Sequence, residues 1–217
     1  MLVTTFDCND PLARRAGLAA AASAAAAGEL VVMPTDTVYG IGADAFNATA
    51  VRALLAAKGR GPDMPVPVLV GSWSTIEGLV VAVPSVATKL VEAFWPGGLS
   101  LVVEHAPSLA WDLGDAKGTV MVRMPLHPVA LDLLRSVGPM AVSSANRSGS
   151  PPAVSAGEAE QQLGELVSVY LDGGPAPIGV ASTVLDVTGP IPVVLRQGAV
   201  SLDALREVAG AVRGAEE

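Results

Sequence analysis

The side chains of this sequence that could do chemistry are gathered in five short polar clusters set in a strongly apolar background. In Pro34-Thr35-Asp36-Thr37-Val38-Tyr39-Gly40, hydroxyls and a carboxylate stand between two apolar runs. Thr and Asp favour turns, and a threonine hydroxyl there could equally hydrogen-bond a small polar substrate. Lys58-Gly59-Arg60 puts two cations at a predicted helix end. A cation there complements the helix dipole; the same pair could clamp phosphate, Arg as a fork and Lys as a point charge. Thr119 to Arg123 ends an apolar strand on an arginine, which needs an anionic partner if buried. That partner is either a carboxylate of the chain or the carboxylate or phosphate of a substrate. Ser143-Ser144-Ala145-Asn146-Arg147-Ser148-Gly149 is a run of small hydroxyl and amide side chains, which lets backbone N–H groups approach a phosphate. It lacks the G-x-x-x-x-G-K-[ST] pattern of a P-loop. The fifth cluster spans Asp172-Gly173-Gly174, Gly179 to Thr183 with its Ser182, and Leu195-Arg196-Gln197-Gly198, where a second lone arginine closes an apolar strand.

Other chemistries find no support. Ser144 has no His–Asp partner set for a hydrolase triad. Cys8 is the only cysteine, and His105 and His127 are far apart, so neither a disulfide framework nor a finger-type zinc site is expected, and no protein-held metal. His127, just before Pro128, reads as a helix cap. The composition is 51% hydrophobic and 16% charged, which excludes intrinsic disorder. The net charge of −8 argues against nucleic-acid binding over the whole surface, so any phosphate chemistry must concentrate a few of the 13 basic residues at one place. The uncharged run Ala16 to Gly28 is too short to span a bilayer, and no basic residue precedes it in the first ten. The expectation is a cytoplasmic protein without a membrane partner.

The elements that must position these clusters are legible from patterning. Asp10-Pro11 opens a helix that stops at Gly28, Asn47 opens another running to about Lys58, and helices follow over Pro84 to Phe94, from Pro128 to Gly138, after Ser155 and after Ser201. Strands are expected at Leu30–Met33, Val38–Gly42, Val68–Val70, Leu99–Glu104, Thr119–Arg123, Met140–Ser143, Val167–Leu171, Thr183–Val187 and Val193–Leu195. Strand pairs follow one another at 30–42, 99–123 and 183–195, so a mixed sheet is expected rather than a doubly wound parallel one. With no repeat or linker, residues 1–217 read as a single α/β domain: a twisted mixed sheet with flanking helices.

In this order, the pieces PTDTVYGIGADA, AKGRGPDMPVPVLV, WPGGLSLVV, TVMVRMPLHP, SSANRSG, DGGPAPIGVASTVLD and LRQG resemble the YrdC-type family, the threonylcarbamoyl-AMP synthases, over roughly residues 12–200. The resemblance implies a YrdC/RibB-like fold with a concave, positively charged site. It implies the reaction of L-threonine, bicarbonate and ATP to threonylcarbamoyl-adenylate and pyrophosphate, a nucleotidyl transfer with Mg2+ bound mainly through ATP. Downstream enzymes would move the threonylcarbamoyl group to tRNA, with at most a weak tRNA contact here. Carried over by motif, Lys58 and Arg60 would be catalytic and hold the ATP phosphates, with Thr119, Asn146 and Arg196 also on the nucleotide. Thr37, Arg123, Ser144 and Ser182 would bind threonine.

The sequence departs from the family pattern at Gly61 and Ser143 (usually Pro), Met64 (often Asn), Leu69 (often His, contacting threonine) and Gln197 (usually Pro). Gly59 to Pro67, rich in Gly and Pro, is the candidate lid. Two competing readings are a noncatalytic RNA-binding or ribosome-assembly module using the same face, which the acidic charge disfavours, and a carbamoyl-transfer domain of hydrogenase-maturation type, whose Cys-rich zinc motifs are missing from this sequence.

Overall fold

All three expected strand pairs form antiparallel neighbours: β2 (Val31–Met33) with β3 (Gly40–Asp44), β5 (Leu99–Glu104) with β6 (Thr119–Arg123), and β9 (Thr183–Asp186) with β10 (Val193–Arg196). The computed structural model describes residues 3–59, 61, 65–115 and 117–215. With β1 (Thr4–Asp7), β4 (Val68–Leu69), β7 (Met140–Ser144) and β8 (Val169–Asp172), these strands make one ten-stranded mixed sheet in the order β1-β8-β2-β3-β7-β4-β6-β5-β9-β10. Parallel pairs β1·β8, β2·β8, β4·β6 and β5·β9 join the antiparallel ones.

Among the described residues seven α-helices flank the sheet: α1 (Pro11–Ala26), α2 (Ala48–Ala57), α3 (Ile76–Leu79), α4 (Ser85–Phe94), α5 (Pro128–Val137), α6 (Ala156–Leu163) and α7 (Leu202–Ala209). All but α3 and α4 start at a side-chain cap. Asp10 accepts from the Ala13 N–H, Asn47 from Thr49 and Ala50, Ser155 from Glu158 and Ser201 from Ala204. His127 caps α5 as expected, its Nδ1 accepting from the Val129 N–H at 3.3 Å.

Strand alternation sorts the sheet's two faces. Val32, Ile41, Val68, Leu101, Val122 and Leu185 point into the main core with α2, α4 and α7. On the opposite face, Val31, Met33, Leu69, Met140 and Val142 pack under α1 and α5 in a second apolar cluster. That cluster ends at Leu69. Beyond it the same face carries Arg123, Ser100, Ser182 and Val184, which belong to neither cluster. The sheet's second face is thus half covered by helices and half left to polar groups.

Three elements differ from expectation. β1 was not expected, because Thr4–Asp7 is largely exposed and carries no apolar alternation. β3 begins at Gly40 rather than Val38, because Thr35 Oγ1 accepts from the Thr37 N–H and donates to Val38 O, holding 35–38 in a side-chain-closed turn. A short helical stretch, Trp73–Thr75 running into α3, lies where the sequence between Gly71 and Gly78 showed no helical period.

Candidate active site

Arg123, the last residue of β6, is 6% exposed and donates to three residues on two loops. Nε donates to Gly97 O at 2.8 Å, Nη1 to Thr37 Oγ1 at 2.8 Å and Nη2 to Asp36 Oδ1 at 2.6 Å. The anionic partner demanded by a buried arginine is therefore Asp36, itself 3% exposed. Its Oδ1 also accepts from the Leu126 N–H at 2.8 Å. Burial pulls the Arg123 pKa down and the Asp36 charge opposes that shift, with Arg196 adding to the lowering. The loop carrying Asp36 and Thr37 is held from outside by backbone bonds from Ile178 to Asp36 O and from Gly179 to Thr37 O.

A second group forms where α2 ends. Lys58, the C-cap, is 1% exposed, and its ammonium lies 2.6 Å from Ser144 O, 3.4 Å from Ser144 Oγ and 2.8 Å from Asn146 Oδ1, with Asn146 O also in contact. It ties α2 to the segment leaving β7. The Asn146 amide donates to Arg147 O and Ser150 O, closing that segment on itself. To meet a phosphate, the ammonium must exchange one of these oxygens.

A third group lies on β9 and β10. Arg196 donates to Ser182 O at 2.8 Å and to Ser182 Oγ at 3.0 Å, and Ser182 Oγ is 2.9 Å from Ser100 Oγ. A β-bulge puts Arg196 there. Val194 pairs with Leu185 on the core side, but Arg196 pairs with Val184, one residue on, so the arginine turns to the open face. Thr119 begins β6 opposite Glu104. It shares a strand face with Arg123, about 13 Å away along an extended strand.

The structure thus joins Thr37 with Arg123, Lys58 with Ser144 and Asn146, and Ser182 with Arg196. Arg60 and Met64 lie outside the described residues, as does part of the candidate lid at 59–67. Among the departures, Leu69 is buried under α5 and pairs with Arg123 in the β4·β6 register, while the Gln197 side chain donates to Val200 O. Asp36, Ser100 and the Gly97 carbonyl were not singled out. A carboxylate between two threonines was visible, but its partner lies 87 residues away.

This is an α/β protein whose mixed sheet carries hydroxyls and cations on the part of one face outside its two apolar clusters. The chain belongs to the Sua5/YciO/YrdC family, whose profile, described as telomere recombination, matches residues 23–198. A Mycobacterium tuberculosis (strain H37Rv) protein, provisionally named a threonylcarbamoyl-AMP synthase, is 65% identical over 209 residues, covering 96% of each chain. The threonylcarbamoyl-AMP synthase of Bacillus subtilis is 40% identical over 94% of this chain, which spans only 58% of that protein. The structure of Pyrococcus abyssi Sua5 complexed with L-threonine superposes with a TM-score of 0.90 at 35% identity, over 99% of this chain and 62% of that one. Escherichia coli YciO shares the fold, with a TM-score of 0.83 at 23% identity, over 94% of this chain and 100% of that one. Among the described residues, no helix is long and apolar enough to cross a membrane.

Proposed function

We propose that this chain is a threonylcarbamoyl-AMP synthase, a nucleotidyltransferase that converts L-threonine, bicarbonate and ATP to threonylcarbamoyl-adenylate and pyrophosphate. One observation carries the reading most: a buried arginine braced on three sides, on the open face of a fold shared with a Sua5 that binds L-threonine. A guanidinium has five N–H donors, and Gly97, Thr37 and Asp36 take three of them. The other two address the substrate carboxylate, with the hydroxyls of Thr37, Ser144 and Ser182 around the rest of the amino acid. Thr119, Asn146 and Arg196 lie on the nucleotide, and Lys58 and Arg60 on its phosphates.

The chemistry asks for position more than for a nucleophile of the protein. Bicarbonate yields CO2 and hydroxide; the threonine amine bonds to the CO2 carbon, and its proton joins the hydroxide as water. A carbamate oxygen then bonds to the α-phosphorus as the bond to pyrophosphate breaks. Binding both substrates in one cleft makes that attack effectively intramolecular, and fixed cations offset the charge building on the phosphates. Mg2+ would arrive held mainly by the ATP phosphates, where it would offset their charge. The product is a mixed anhydride prone to hydrolysis, so a group-transfer enzyme acting on tRNA consumes it. The cell compartment in this reading is the cytoplasm.

The test is direct. Protein, MgATP and bicarbonate should release pyrophosphate and form an AMP ester only when L-threonine is added. Pyrophosphate release indifferent to threonine, or no turnover at any Mg2+ concentration, would sink the proposal.

A further inference from the structure

We infer that Asp36 is a positioning residue that prepares Arg123 for a carboxylate substrate by pairing with it through one oxygen only. This rests on the proposed function, in which Arg123 receives the threonine carboxylate. Arginine and a carboxylate left to themselves favour the two-bond fork. Here that fork is withheld. Asp36 Oδ1 takes both the Arg123 Nη2 donor and the Leu126 N–H, while Oδ2 is fully buried with no donor among the described residues. On the other side, Nη1 is turned to Thr37 Oγ1 and Nε to Gly97 O. The guanidinium is therefore held by three acceptors on two loops, and two of its five N–H groups have no acceptor among the described residues.

An acceptor with no donor inside a protein is costly and rare. The arrangement that would relieve it, a second bond from Arg123 to Oδ2, would consume a donor the substrate needs. The Leu126 N–H and the Thr37 hydroxyl together hold the pair out of that register. Asp36 thus supplies the negative charge that lets Arg123 be buried, yet leaves one N–H on each of Nη1 and Nη2 for another anion. A guanidinium accepts a carboxylate or a phosphate in this way; the proposed function makes the occupant the carboxylate of an α-amino acid.

The experiment compares L-threonine binding, measured by calorimetry without ATP, with steady-state KM values for threonine and ATP. Asp36→Asn keeps the Leu126 acceptor and the shape but loses the charge. Asp36→Glu keeps the charge but has the reach to form the fork. Both should weaken threonine binding by about tenfold or more while the KM for ATP stays within about twofold. Equal losses for both substrates, or unchanged threonine affinity in either folded variant, would overturn the inference. A wild-type measurement covers the case in which neither variant folds. The Arg123 guanidinium NMR signals should already be ordered before threonine is added, and signals that order only on threonine addition would equally refute it. Wild-type protein that makes no threonylcarbamoyl-AMP refutes the proposed function instead, whatever the Asp36 variants do.

Discussion

Lys58 and Arg123 are both buried cations, and their partners among the described residues differ in kind. Oxygens of Ser144 and Asn146 lie against the Lys58 ammonium, whereas a carboxylate anchors Arg123. An ammonium has three donors, and four oxygens of those two residues already lie within reach. Arg123 has five donors, three of them taken. Lys58 therefore holds a loop, while Arg123 is itself held. At one place the cation organises backbone; at the other, backbone and carboxylate organise a cation.

The contrast can be broken. The largest effect is expected for Lys58→Met, which leaves the oxygens of Ser144 and Asn146 without their donor in the interior. Stability should fall by about 3 kcal/mol, read from denaturant unfolding, together with loss of ATP turnover. An unchanged unfolding midpoint would remove Lys58 from its structural role. Next is Arg123→Lys, which retains charge beside Asp36 but replaces a planar fork with a point donor. The KM for threonine should rise about a hundredfold with little change in the KM for ATP; equal changes in both would show that Arg123 is not specific to the amino acid.

The smallest effect concerns the neighbour of that cluster. Burial lowers the His127 pKa below its ordinary 6.5, opposed by the Asp36 charge and reinforced by Arg14. The unfolded chain then takes up the proton first, so the stability contributed by the neutral cap is present above pH 6.5 and lost as pH falls below it. His127→Asn supplies a cap acceptor that does not titrate. Between pH 7.5 and 5.5 the variant should lose less stability than wild type, by about 0.5 to 1 kcal/mol. Parallel pH profiles of the two proteins would count against the neutral-imidazole cap.

Much of this was legible in the sequence where the cause is local. Caps at Asp10, Asn47, Ser155 and Ser201, and strands such as Leu99–Glu104 and Thr119–Arg123, are set by a few neighbouring residues. An arginine ending an apolar strand marked Arg123 and Arg196 as residues in need of partners, and the family resemblance ordered them. What could not be read depends on distant chain. Asp36 is joined to Arg123 across 87 positions, and Lys58 to Asn146 across 88. β1 owes its place to β8, not to any pattern of its own.

The bulge between Val194 and Arg196 makes this part of the site a matter of counting. Leu195, which is 54% exposed, is the extra residue of the bulge, so that it and Arg196 together oppose Val184. Deleting it would restore regular pairing with Arg196 still opposite Val184. A strand of the present length that ran on without the bulge would instead pair Leu195 with Val184, and parity would turn Arg196 toward the packed interior. Drift at this edge is thus gated by parity rather than by chemistry: the extra residue may be exchanged or lost, but it may not be absorbed into the ladder.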